Sequence, residues 1–234
     1  TILEAALNHG INLPYGCRNG FCGACKGNIV SGQVSYPMQP KKLTAEDMTK
    51  GVAFLCSCHA NSDVEIDIEI VEETSNIEVK TLPCRVHAME KMADDVMLIA
   101  LKLPAEERLH FLPGQYIDVL LEDGRKRSFS LANAPHDDEF LLLHIRYVKG
   151  GIFTEQVFSA MKEMDLLRIE GPHGSFFYRE KANRPMIFMA GGTGFAPIKS
   201  IVEHLIAEQC TRPIFIYWGV RAQADLYMNS LAEQ

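Results

Sequence analysis

Residues 17–25 read CRNGFCGAC: Cys17, Cys22 and Cys25 are separated by four and then two residues, with Gly20 and Gly23 between them. A cluster held by cysteine alone needs four thiolates, and CxxxxCxxC followed by a distant fourth cysteine is the spacing of a [2Fe–2S] site. The glycines let the backbone wrap closely, so that amide hydrogens point at the sulfurs. Zinc sites pair two short cysteine or histidine spacings, which the four-residue gap matches poorly. Spacing alone leaves Cys56, Cys58, Cys84 and Cys210 open as the fourth ligand.

Upstream of the loop, Thr1 and Glu4 have capping-box spacing ahead of ILEAAL, and Gly10 ends a short helix over 1–9. Downstream, KGNIVSG reads as a strand and TAEDMTKG (44–51) as a capped helix. DVEIDIEI (63–70) alternates as a half-buried strand with an acidic, solvated face of Asp63, Glu65, Asp67 and Glu69. The polar stretch VEETSNIEVKT (71–81) reads as a linker. From Cys84 to about Phe177, the β-rich runs DDVMLIALKL, QYIDVLL, RSFSLAN, FLLLHIRYV and DLLRIEG suit an antiparallel barrel, with FTEQVFSAM as one helix. From Pro185, the strand MIFMA, a glycine loop, the helix IKSIVEHLIAEQ and the strand IFIYWG form one β-α-β unit. The expected fold class is multidomain α+β and α/β, with domains at 1–72, 83–180 and 184–234.

A chain of 234 residues with 47% hydrophobic content supplies two or three small cores. No run nears the ~18 apolar residues of a membrane span and no leader-like segment opens the chain, so the expected place is the cytoplasm, with no membrane partner. A net charge of −7 argues against nucleic acid as a partner. Seven cysteines, an odd number gathered towards the N-terminus, fit metal binding in a reducing compartment better than disulfides. Thr1 at the start, and LYMNSLAEQ stopping inside a helical pattern, suggest that both ends belong to a longer protein.

Three further motifs read as nucleotide sites. In RSFS, alternation puts Arg127 and Phe129 on one side of a strand and Ser130 on the other. A flavin nucleotide needs a cation for its pyrophosphate, an apolar platform for its ring and a hydrogen bond near N5. GGIFT offers Gly150, Gly151 and Thr154 ahead of a helix whose amides suit phosphate, although an ordinary strand-to-helix turn reads the same way. MAGGTGFAP is a strand, glycine loop and helix that would lay a pyrophosphate on a helix N-terminus, without the exact GxGxxG spacing. His87, His110, His136 and His204 lack partner spacing, and Cys84 and Cys210 read as packing residues at a strand start and a helix end.

Taken in order, CxxxxCxxC, LC, RxFS, GGxxT and GGTGFAP resemble the reductases that join a plant-type ferredoxin to a ferredoxin-NADP reductase-like module, as in reductase components of bacterial oxygenases. LPYGCRNGFCGACKG, LHIRYVKGGIFTEQVF and YWGVRAQADLY are most similar to the CDP-6-deoxy-delta-3,4-glucoseen reductase type. The resemblance implies a β-grasp ferredoxin domain without its first strands, an antiparallel β-barrel FAD domain and a partial Rossmann-like NAD(P) domain. It implies that Arg127, Phe129 (where tyrosine is commoner) and Ser130 serve FAD, and that His144, Arg146, Gly150, Gly151 and Thr154 line it. Gly192, Thr193 and Gly194 would receive the nicotinamide nucleotide, with Ser130 and Thr193 as the catalytic residues. Cys56 is implied as the fourth ligand rather than Cys58, because plant-type ferredoxins place it seven positions before an aspartate, here Asp63, and after an apolar residue, here Leu55. The implied activity passes a hydride from NADH or NADPH to FAD and then single electrons through the cluster to a protein partner, a sugar dehydrase or an oxygenase. Arg221 as the single cation after the last strand favours NADH. The rival readings are a non-enzymatic electron carrier, with the barrel as a docking scaffold, and a zinc-stabilised binding module.

Overall fold

Thr1 caps helix α1 (Ile2–Asn8): its side chain accepts from the Glu4 amide while the Glu4 carboxylate returns to the Thr1 backbone, as the spacing predicts. The structure, a computed structural model, describes residues 1–232, which fall into two units. One is Thr1–Ile77 with Gly174–Phe176, the other Glu78–His173 with the residues from Phe177 onward.

In the first unit, β1 (Lys26–Ser31) lies between β3 (Val52–Phe54) and β5 (Glu65–Asp67), antiparallel to both. β2 (Val34–Ser35) and β4 (His59–Ala60) pair separately, and Thr44 and Asp47 cap α2 (Ala45–Thr49) through a second capping box. Leu3, Leu13, Leu43, Phe54, Leu55 and Val71 are buried here. Burial alternates from Asp63 to Glu69 as expected, but Ile70 is exposed and only Glu65–Asp67 pair as a strand, with a register shift between Ile29 and Ser31 of β1. The shift leaves Val30 of β1 without an opposite residue.

The second unit holds six antiparallel strands, β6 (Lys80–Ala93), β7 (Val96–Lys102), β8 (Tyr116–Leu120), β9 (Lys126–Ser130), β10 (Leu141–Arg146) and β11 (Leu166–His173), in the order β10-β7-β6-β11-β8-β9. A bridge between Leu131 and Leu143 joins the end of β9 to β10 and closes the sheet into a barrel. Val86, Ile99, Leu101, Ile117, Val119 and Leu143 fill it, and α3 (Ile152–Ser159) adds Phe153 and Val157. β6 begins at Lys80, so Lys80 and Thr81 are barrel residues paired with Gly171 and Glu170, not linker, and Cys84 lies within the strand. Its inward set of Leu82, Cys84 and Val86 alternates with exposed Thr81, Pro83, Arg85 and His87, and the proline hid the strand from a propensity reading.

β12 (Met186–Gly191), α4 (Phe195–Ala207) and β13 (Ile214–Gly219) form the expected parallel crossover, in register from Met186 opposite Ile214 to Gly191 opposite Gly219. One face packs Ala190 and Ile216 against Phe195 and Ile198, whereas Ile187, Met189, Phe215 and Tyr217 on the other face are exposed. A short helix α5 (Asn229–Ala232) ends the described chain. Among the described residues, no helix is long and apolar enough to cross a membrane.

Candidate functional site

Between α1 and β1 the chain turns through left-handed backbone at Arg18, Gly20 and Gly23. The turn aims amides at sulfur: Phe21 and Cys22 donate to Cys17 Sγ at 3.3 and 3.2 Å, and Cys17 and Ala24 donate to Cys22 Sγ at 3.4 and 3.5 Å. Gly20 is required twice over, by its φ of 73° and by a close approach, since a Cβ there would lie 2.8 Å from Ser57 Oγ and 3.0 Å from Pro40 Cβ. That approach brings residues 56–58 to the loop. The Cys25 and Cys56 thiols share a hydrogen bond, which favours the thiolate at Cys56, lowering its pKa to about 6, and pushes Cys25 up. Burial opposes ionisation of Cys17, but the amides of Asn19, Cys22 and Phe21 outweigh it and hold the thiol below its ordinary value. Cys58 is wholly buried, near the Tyr36 hydroxyl, and burial pushes it up to about 11. Cys17 thus stands with Cys22, and Cys25 with Cys56: four thiols, the number and kind of donor that a [2Fe–2S] cluster takes. The donor set fits that group.

On β9, Arg127 lies opposite Val119 and Phe129 opposite Ile117, the barrel-filling residues of β8, while Ser128 and Ser130 lie opposite Asp118 and Tyr116. Phe129 packs with its ring centre 5.4 Å from that of Phe153 and stays half-buried. Among the described residues the Arg127 guanidinium donates to the Lys126 carbonyl alone, at 2.8 Å. After β10, the Gly150 amide is met by Glu155 Oε1 at 2.6 Å, a carboxylate standing where an anion would. The Thr154 hydroxyl closes the loop on the carbonyls of Val148 and Gly151, at 3.1 and 3.0 Å. Beside β9, Asp118, Glu170 and His173 bring ligand-type atoms within 4.8 Å of one another, with the Lys126 ammonium 2.6 Å from Glu170.

Gly192, Thr193 and Gly194 form one 3-10 turn leading into α4, with Thr193 half-buried and Gly194 open. The Gly192 carbonyl accepts from Trp218 Nε1 at 2.8 Å, and Phe195 stacks on the same indole at 4.0 Å. A Cβ on Gly192 would lie 2.5 Å from Arg146 Nη1, so the β10 arginine rests directly against this turn. Arg146 Nε is 3.3 Å from Asp95, while its Nε and Nη2 are buried without a hydrogen-bond partner. Asp95 also takes Arg221 at 2.7 Å, and Arg221 reaches Asp225 at 3.4 Å. His144 Nδ1 lies 2.9 Å from the Tyr227 hydroxyl, and its Nε2 is buried with no partner. Burial, helped by the charge of Lys199, brings the His144 pKa down to about 4. Lys199 and Ser200 on α4 donate to the carbonyls of Ala132 and Asn133, at 3.2 and 2.7 Å, fastening the helix to the residues just after Ser130. Orphaned donors on His144 and Arg146, converging with the glycine turn, fit a nucleotide that accepts hydrogen bonds. Asp95, Lys199, Ser200, Trp218 and Tyr227 carried no local signal, because each acts on a partner more than twenty residues away.

Three families match the chain: a 2Fe-2S iron-sulfur cluster binding domain over 1–61, an oxidoreductase FAD-binding domain over 83–178 and an oxidoreductase NAD-binding domain over 188–234. The chain is 44% identical to a CDP-6-deoxy-L-threo-D-glycero-4-hexulose-3-dehydrase reductase of Yersinia pestis, over 98% of this chain and 69% of that protein. It is 38% identical to the terephthalate 1,2-dioxygenase reductase component 1 of a Comamonas species, over 100% of this chain and 69% of that protein. Its fold superposes on the cytochrome P450 reductase GcoB of Amycolatopsis with a TM-score of 0.79 at 32% identity, covering 100% of this chain and 72% of the other.

Proposed function

This chain belongs to the family of reductases that join a 2Fe-2S cluster binding domain to oxidoreductase FAD-binding and NAD-binding domains, and we propose that it supplies electrons to a dehydrase acting on a CDP-linked deoxyhexulose. As a member it is an NAD(P)H-dependent oxidoreductase that passes electrons to a partner enzyme. When bound, FAD accepts a hydride and the [2Fe–2S] cluster carries single electrons, so the two together turn a two-electron donor into a one-electron supply.

The observation that carries the reading is the thiol pairing under inward-facing amides. It supports Cys17, Cys22, Cys25 and Cys56 as the ligands, with Cys58 left as a buried neighbour. On this reading, Arg127 meets the flavin pyrophosphate, Phe129 and Ser130 flank the ring, and His144 and Arg146 complete the cradle with Gly150, Gly151 and Thr154. The turn of Gly192, Thr193 and Gly194 takes the nicotinamide nucleotide. Arg221 already has two carboxylate partners, which supports NADH over NADPH, since a 2′-phosphate would compete with both. The greater identity to the dehydrase reductase favours a dehydrase partner over an oxygenase. The domain limits 1–72, 83–180 and 184–234 and a cytoplasmic setting complete the proposal.

Anaerobically purified protein tests it. The expectation is roughly two irons and two acid-labile sulfides with one FAD per chain, and flavin absorbance bleached by NADH. Zinc without iron, or a protein that retains no flavin, refutes it. Electron delivery to a purified CDP-deoxyhexulose dehydrase should exceed delivery to an aromatic-ring oxygenase, and the reverse order would move the assignment to the oxygenase reductases.

A further inference from the structure

His144 lies on the wall of the barrel with only 4% of its surface exposed, and the two nitrogens of its ring are treated differently. Nδ1 is 2.9 Å from the Tyr227 hydroxyl, which arrives from beyond β13. Nε2 is buried and makes no hydrogen bond among the described residues. A buried phenol hydrogen needs an acceptor, and among the described residues Nδ1 is the atom that the structure offers to it. The phenol therefore donates to Nδ1, and the ring of a neutral imidazole then carries its hydrogen on Nε2. The imidazole is held neutral by burial and by nearby Lys199, so the bare Nε2 is an N–H donor in need of an acceptor.

Tyr227 is itself fixed. The Trp218 indole stands edge-on to it at 5.1 Å and at 90°, and the imidazole stands edge-on at 5.3 Å and at 89°. The same indole holds the Gly192 carbonyl at 2.8 Å. The phenol is clamped between the barrel histidine and the glycine turn and has little freedom to rotate away.

We propose that Tyr227 is a positioning residue: by donating to His144 Nδ1 it fixes the tautomer in which Nε2–H donates to an acceptor oxygen or nitrogen of the bound flavin nucleotide. This rests on the reading of the barrel as the FAD site. Loss of the phenol hydrogen leaves the imidazole free to place its proton on either nitrogen. Half of the rings then face the flavin with a lone pair where a donor is needed.

Deflavinated protein retitrated with FAD provides the test, followed by the flavin absorption spectrum and midpoint potential. Tyr227→Phe keeps the ring between Trp218 and His144, so it should fold. It should weaken FAD binding about twofold, the factor by which a half-populated competent tautomer raises Kd, and shift both the visible band and the potential. His144→Gln retains an N–H at the reach of Nε2 but does not depend on a tautomer. Whatever FAD affinity that variant has, adding Tyr227→Phe to it should change nothing further. Wild-type affinity, spectrum and potential in Tyr227→Phe overturn the proposal. So does a Tyr227→Phe effect of equal size in the His144→Gln background, and so does an effect confined to NADH binding. Wild-type protein that takes up no FAD refutes the assignment of the barrel itself, a result distinct from any of these.

Discussion

Replacing Gly192 with alanine tests whether the glycine turn and Arg146 form one arrangement. Gly192 has φ of 52°, a left-handed conformation that costs a residue with a Cβ about 1–2 kcal/mol. The new methyl would also fall 2.5 Å from Arg146 Nη1 and 2.9 Å from Cζ, so the guanidinium must leave. Its departure gives up the 3.3 Å contact with Asp95, a partly exposed pair worth roughly 0.5–1 kcal/mol. The expected sum is about 1.5–3 kcal/mol, or a fall in Tm of about 3–12 °C for a unit of this size. Gly194 is the internal control: its φ of −60° suits any residue and no atom lies within 4 Å of its Cβ position, so Gly194→Ala should change stability by less than ~0.5 kcal/mol. Trp218, the single tryptophan of the chain, bonds the Gly192 carbonyl, so thermal unfolding followed by its fluorescence reports on this turn directly. Equal melting temperatures for Gly192→Ala and Gly194→Ala would refute the argument.

Cys56→Ser should abolish or severely perturb the visible and paramagnetic signals of the cluster while FAD stays bound, whereas Cys58→Ser keeps them; the opposite pattern in absorbance and electron paramagnetic resonance would exchange the two residues. Arg127→Ala should lower FAD retained after desalting, through loss of about 1.5–3 kcal/mol of charge-assisted contact, and undiminished flavin content would remove Arg127 from the site. Ser130→Ala should slow flavin reduction by NADH about tenfold with FAD still bound, and a wild-type rate in stopped flow would contradict its role. The His144 pKa is about 4 in the fold against an ordinary 6.5, so the unfolded chain binds more protons between those values; the contribution of this residue is whole above pH 6.5 and is lost as pH falls towards 4. Between pH 7 and 5 the loss is about 2 kcal/mol, and denaturant titrations of His144→Gln should show a pH dependence weaker by that amount.

The capping box of α1, the capped helix α2, the cysteine loop, the barrel runs and the β-α-β crossover were legible because each is written within a few neighbouring residues. Capping needs a hydroxyl and a carboxylate three positions apart, and the loop needs glycines where the backbone turns left-handed; both are local conditions. Alternation in RSFS likewise places Arg127 and Ser130 on opposite sides of β9, as the register with β8 has them. Strand β6 was partly missed, because Pro83 and the charged outward residues masked its inward Leu82, Cys84 and Val86, and only pairing with β11 gives those residues a ladder. Spacing also left four cysteines open as the last ligand, whereas the fold puts the Cys56 thiol against Cys25 and seals Cys58 into the interior. The tertiary structure alone decided which polar groups are spent and which are left over. Thr154 and the Gly150 amide, free in the sequence reading, bond within their own loop, and His144 and Arg146, which only the resemblance singled out, keep buried nitrogens that make no hydrogen bond among the described residues. The reason is that satisfaction of a hydrogen-bonding group depends on every atom that reaches it, and the partners of His144 and Arg146 come from segments distant along the chain and brought close by the closed barrel and its fastened helix.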